Sequence, residues 1–182
     1  LTPAGALLRL LASPNIGSRE PVTRTYDSTI MTNTVVPPLA GDAAVIRVKG
    51  TTIGLAIKTD CNPRYGYLDP YLGGAHAVAE AARNVSCVGA EPIAVTDCLN
   101  FGSPERPEIY YQLSRAIDGM SDACRALGVP VVSGNVSLYN ESGSEAILPT
   151  PTVGVVGRLA DVRRHVGMAF VEGGSVYLVG PL

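Results

Sequence analysis

Two apolar runs, each emptying into small polar residues, constrain this fold most. Val129-Pro130-Val131-Val132 reads as a buried strand and leads into Ser133-Gly134-Asn135-Val136-Ser137-Leu138-Tyr139-Asn140-Glu141. Upstream, Ile93-Ala94-Val95-Thr96 leads into Asp97-Cys98-Leu99-Asn100-Phe101-Gly102 in the same way. Both polar stretches read as loops closing a strand. Glycine lets a backbone approach a ligand closely, and Asn, Ser and free N–H groups can hold phosphate oxygens or a hydrated metal ion. A single stretch of this kind is equally a plain polar turn. Two of them suggest one site at the end of a sheet, where ligands of open α/β sheets commonly sit.

Between the two runs, Pro107 starts a helix whose apolar stripe is Ile109, Leu113, Ala116, Ile117, Met120, Cys124 and Leu127. Gly128 and Pro130 stop it. Ala43–Val48 and Thr52–Lys58 read as two strands of a hairpin around Lys49-Gly50. The second strand runs into Asp60, which fits a metal or phosphate site and a turn residue equally well. A helix is expected from Ala75 to about Val88, with Glu80 and Asn84 on one face. Asp60, Glu80 and Asn84 together could supply oxygen ligands for Mg²⁺, although Glu80 also reads as a solvated helix residue. A further helix spans Pro3–Ala12, and Thr29–Val36 is a β-prone patch. The double proline at Pro149 and Pro151 resembles a linker, followed by strands at Thr152–Gly157 and Ser175–Val179 around a short helical turn.

With 46% hydrophobic and 16% charged residues, the chain is globular rather than disordered. A net charge of −2 gives no basic excess, so nucleic acid is not an expected partner. No apolar run approaches the ~20 residues of a membrane span, and a membrane partner is not expected. The four cysteines, Cys61, Cys87, Cys98 and Cys124, form no C-x-x-C pair and read as free thiols in a reducing cytoplasm. His76 and His165 have no evident triad partners. There is no P-loop and no G-x-G-x-x-G. The chain begins at Leu1 without a methionine, which suggests an excised piece.

The motifs TDCNPRYGYLDPYLGGAHAVAEAARN, GAEPIAVTDCLNFGSPE, VVSGNVSLYNE and ILPTPTVGVVG form an ordered set. Together they resemble the second half of the synthetase subunit of phosphoribosylformylglycinamidine synthases of the small, multi-subunit type. The resemblance implies an α+β fold, a mixed sheet covered by helices like the N-domain of aminoimidazole ribonucleotide synthetase. It implies an N-terminal helix and linker at 1–24, the N-type domain at 25–148, and the start of a C-type α/β domain at 149–182. The implied activity is ATP-dependent conversion of formylglycinamide ribonucleotide to its amidine, with Mg²⁺ and ammonia from a glutaminase subunit. Asp97 and Gly134 would contact ATP, Asn135 would ligate Mg²⁺, and Ser137 would contact substrate through its phosphate. Asp60, Glu80 and Asn84 would form an auxiliary nucleotide and Mg²⁺ site. The catalytic histidine would lie in the first half, so this chain alone should be inactive. Implied partners are that first half, the glutaminase, a small bridging subunit and, as a further option, a second copy of this chain. Other enzymes of the superfamily, or a non-catalytic pairing scaffold, are the competing readings.

Overall fold

Ala43, Val45, Gly54 and Ala56 are buried while Ala44, Arg47, Ile57 and Thr59 are exposed, the alternation of strands buried on one face. A computed structural model describes residues 2–180. Its elements are α1 (Pro3–Leu11), α2 (Glu20–Thr23), β1 (Thr34–Val36), β2 (Ala44–Arg47), β3 (Gly54–Asp60), α3 (Pro63–Leu68), α4 (Pro70–Cys87), β4 (Glu91–Asn100), α5 (Pro107–Leu127), β5 (Val131–Ser137), β6 (Glu141–Ser142), β7 (Glu145–Ala146) and β8 (Thr150–Leu159). Six strands form one sheet in the order β1-β2-β3-β8-β4-β5, and β6 and β7 form a separate small hairpin. Only β4 and β5 are parallel, joined by the α5 crossover. The expected α+β class, a mixed sheet covered by helices, is therefore found.

Helices α4 and α5 lie side by side on one face of the sheet. A Cβ at Gly157 of β8 would run into Val85 of α4, so the helix and the strand touch through a missing side chain. Val78, Val85, Val95, Val153, Val155 and Leu159 are buried between the two layers. The opposite face carries Thr59 and Thr96, both of which a Cβ at Gly154 would meet, and among the described residues no helix packs over it. Ile57 on this face is 44% exposed.

The local signals explain most boundaries. Asn62 caps α3 by accepting N–H bonds from Arg64 and Tyr65, and Pro63 fills the first helical position. Asp69 caps α4 by accepting the Leu72 N–H at 2.9 Å. This cap starts the helix at Pro70, five residues before the expected Ala75. Gly128 ends α5 in the left-handed region at φ 69°.

Three expectations are corrected. Asp97-Cys98-Leu99-Asn100 and Ser133–Ser137 are not loops; they are the last parts of β4 and β5. The proline pair at Pro149 and Pro151 is not a linker. Thr150 opens β8, which hydrogen-bonds between β3 and β4, so the boundary expected at 148/149 cuts through one sheet. Ser175–Val179 is an apolar, β-branched run like a strand's but pairs with no strand among the described residues.

Candidate functional site

Parallel pairing of β4 and β5 sets the site's geometry. Asp97 pairs with Gly134, Cys98 with Asn135, Leu99 with Val136 and Asn100 with Ser137. Paired residues point to the same face. A Cβ at Gly134 would lie 2.6 Å from Asp97 Cγ and 2.8 Å from Oδ2, so the carboxylate occupies the space that glycine leaves open. No hydrogen bond or ion pair to the Asp97 side chain is found among the described residues. Burial pushes its carboxyl above the ordinary 3.8. The Cys124 thiol on α5 is also raised, first by burial and then by the Asp97 charge.

Because strands alternate, Asn135 and Ser137 project to the face opposite Asp97, alongside Cys98 and Asn100. Asp97, Gly134, Asn135 and Ser137, expected to form one site, therefore share one strand pair but divide between its two faces. β5 is an edge strand, and every residue from Val131 to Val136 is exposed. Gly134 and Asn135 are thus open to a ligand or to a further domain.

Beyond the strand ends the following segments are stitched together. The backbone N–H groups of Tyr139 and Asn140 donate to Gly102 O and Phe101 O, each at 3.1 Å. Glu141 Oε1 accepts the Ser103 N–H at 2.9 Å and lies 3.7 Å from the Arg106 guanidinium. Tyr139 sits at φ 60°, an unfavourable region for a residue with a side chain, beside Ser137. Asn140 Nδ2 donates to Phe101 O at 3.0 Å and to Ser137 O at 2.9 Å. Asn140 was not singled out from the sequence. Its only signal there was a polar residue directly after a positive-φ tyrosine, and one sequence does not reveal φ.

The second candidate group lies two strands away. Asp60 and Asp97 both pair with Val153 of β8, one from each side. Asn84 Nδ2 donates to Asp60 Oδ2 at 2.9 Å, so the structure brings these two together. The Lys58 ammonium lies 3.5 Å from Asp60 Oδ1. Glu80 is one helical turn before Asn84 on α4, near enough to Cys61 for its charge to act on that thiol. Burial is the main reason the Cys61 thiol is raised.

The family model for AIR synthase related protein, N-terminal domain, matches residues 40–159. Over 177 residues the chain is 70% identical to the phosphoribosylformylglycinamidine synthase subunit PurL of Thermomicrobium roseum, a match covering 97% of this chain and 24% of that protein. The chain thus spans about a quarter of the length of this relative. The solved structure of PurLQS from Thermotoga maritima superposes with a TM-score of 0.75 at 38% identity, covering 80% of this chain and 24% of that one. Thermotoga maritima PurL complexed with ATP superposes with a TM-score of 0.68 at 39% identity, covering 77% of this chain and 23% of that one.

Proposed function

The chain belongs to the AIR synthase related protein family, whose N-terminal domain it contains, and on that premise we propose that it forms one wall of an ATP-dependent carbon–nitrogen ligase. The proposed reaction converts formylglycinamide ribonucleotide to formylglycinamidine ribonucleotide in purine biosynthesis. The γ-phosphoryl group of ATP passes to the amide oxygen. Ammonia then adds at the same carbon, and the C–O bond breaks to release phosphate. Little covalent chemistry falls to the protein, so its task is positioning and neutralising charge.

The observation that carries this reading is the Asp97 carboxylate seated over Gly134 on an exposed edge strand. A buried-side carboxylate with no internal partner is a fixed acceptor for an incoming donor or cation. In this reading Asp97 and the Gly134 backbone contact ATP. Asn135 offers an exposed amide oxygen suited to Mg²⁺, a hard cation that takes oxygen ligands. The metal, when bound, neutralises phosphate charge. Ser137, on the same face of β5 as Asn135 and opposite Asp97, contacts the substrate. The relative complexed with ATP supports a nucleotide role for this fold.

An auxiliary Mg²⁺ and nucleotide site on Asp60, Glu80 and Asn84 fits less well. Both Asp60 oxygens already meet donors of this chain, so a metal would have to displace Lys58. The proposed partners are the rest of the same synthetase, which supplies the catalytic residues, an ammonia-producing glutaminase and a small bridging subunit, in the cytoplasm. The name of the PurLQS relative supports an assembly of several subunits. The helix-free sheet face, with Ile57 exposed, favours a second reading in which the chain acts as a pairing scaffold for another such domain or a second copy of itself.

The experiment is turnover of the full-length synthetase with ATP, formylglycinamide ribonucleotide and ammonia. Asn135→Ala should raise the KM for Mg·ATP about tenfold, the cost of one lost metal-oxygen contact. No turnover by a correctly folded assembly would establish the scaffold reading instead.

A further inference from the structure

The Asn140 amide joins the ends of β4 and β5. Its Nδ2 is within reach of Phe101 O at 3.0 Å, Ser137 O at 2.9 Å and Ser137 Oγ at 3.1 Å. Its Oδ1 lies 3.2 Å from Ser137 Oγ. The two backbone carbonyls can only accept, which fixes the amide nitrogen, and not the oxygen, on their side. An amide nitrogen carries two protons, which Phe101 O, Ser137 O and Ser137 Oγ share as acceptors. The Oδ1 has lone pairs only, so the bond between Oδ1 and Ser137 Oγ must use the serine proton.

We propose that Asn140 is a positioning residue that holds the Ser137 hydroxyl with its proton turned inward, so that Ser137 presents lone pairs to the substrate and recognises an N–H or O–H donor there, not a phosphate oxygen. This rests on the reading above that Ser137 contacts substrate. The surroundings reinforce the arrangement. The Phe101 N–H donates to Ser137 O at 3.1 Å and the Asn140 N–H returns to Phe101 O, so the backbone of the two strand ends is cross-linked around the side chain. The Ile147 N–H donates to Asn140 O at 3.0 Å, tying the same residue to the segment after β7. Tyr139 is held at positive φ between these bonds, which fixes how far Asn140 sits from Ser137. A hydroxyl has one proton and two lone pairs. With the proton committed, a phosphate oxygen opposite Ser137 would meet another acceptor, whereas a substrate amide or ribose hydroxyl would be received.

The test uses the full-length synthetase with Ser137→Ala, Asn140→Ala and the double variant, reading KM for formylglycinamide ribonucleotide, kcat, KM for ATP and melting temperature. Each single variant should raise the substrate KM about tenfold with ATP KM unchanged, since each removes or misdirects one hydrogen bond. The double variant should be no worse than Ser137→Ala, because Asn140 acts through that hydroxyl. A second measurement uses a substrate analogue lacking its 2′-hydroxyl and one with its amide nitrogen methylated. One of these should lose discrimination between parent and Ser137→Ala, while shortening the ligand by its phosphate should leave the discrimination intact. If Ser137→Ala leaves the substrate KM unchanged, the substrate role of Ser137 and this inference both fall. If Ser137→Ala raises it and Asn140→Ala does not, or the two effects multiply, only the positioning role of Asn140 is overturned. If removal of the phosphate abolishes the Ser137 effect, the lone-pair assignment is wrong.

Discussion

Two aspartates stand at the same level of the sheet, one on each side of Val153, and they are treated oppositely. Asp60 on β3 meets the Asn84 amide and the Lys58 ammonium. Asp97 on β4 meets neither a donor nor a cation of this chain among the described residues, and burial alone shifts its carboxyl upward. The difference follows from the neighbours. Lys58, two residues earlier on β3, and Asn84 on α4 supply the side chains that satisfy Asp60. Beyond β4 lies the edge strand β5, which offers only the bare Gly134 at that position. Unpaired, partly buried carboxylates destabilise a fold, and they persist where an outside partner completes them. Position on the sheet thus separates a self-contained carboxylate from one left open.

The largest effect should come from closing the gap beside Asp97. In Gly134→Ala the new methyl would sit 2.6 Å from Asp97 Cγ, so the carboxylate must turn away. β5 is an edge strand and can yield, so the fold should survive with a melting temperature close to the parent. A displacement of this size at a binding group should cut kcat/KM for ATP in the full-length synthetase about a hundredfold. Unchanged kinetics would put Asp97 outside the nucleotide site.

A smaller effect of mixed sign should come from Asp97→Asn. The folded state holds the Asp97 proton more tightly than the unfolded chain does. The carboxyl's contribution to stability is therefore whole below pH 3.8 and is lost as pH rises through the folded value. Asparagine has no charge to bury, so the variant should melt higher than the parent at pH 7, and the gain should shrink as pH falls toward 3.8. ATP use should nevertheless fall about tenfold, since one charged contact becomes neutral. Asp60→Asn should show no such gain, because its charge is already matched. A melting profile for Asp97→Asn parallel to the parent at all pH values would remove the contrast between the two residues.

Much of the fold was legible in the amino-acid sequence. The hairpin β2–β3, the stripe of α5 and its Gly128 stop all carry local signals, and each is found. The strand character of Asp97–Asn100 and Ser133–Ser137 was not legible. Neither stretch alternates apolar with polar residues, because one face of β5 is left open and the other is occupied by a carboxylate over a glycine. The role of Thr150–Leu159 was hidden for a different reason. Its valines read as a strand, but its insertion between β3 and β4 depends on partners 50 to 105 residues away, and the flanking prolines suggest a break. Among the site residues, Asp97 beside Gly134 and Asp60 beside Asn84 were found as pairs. Lys58 reads in the sequence only as the end of a strand, since nothing in its neighbours shows that its ammonium returns to Asp60.

The smallest effect, and the one that sharpens the comparison most, should come from Lys58→Met. Methionine keeps the unbranched stem and its packing while removing the charge. The Asp60 side chain is only 13% exposed and that of Lys58 31%, so the pair is less screened than a surface pair. It is still a single contact at 3.5 Å, and Asn84 continues to donate to Asp60 in the variant. The expected stability loss is therefore about 1 kcal/mol or less, read from urea unfolding. ATP-dependent turnover should not change. Mg²⁺ affinity at Asp60, measured with the catalytic site already saturated, should rise because the competing ammonium is gone. A loss of activity as deep as that of Asp97→Asn would mean that Lys58 and Asp60 face a ligand too, and the two sides of Val153 would then serve one site.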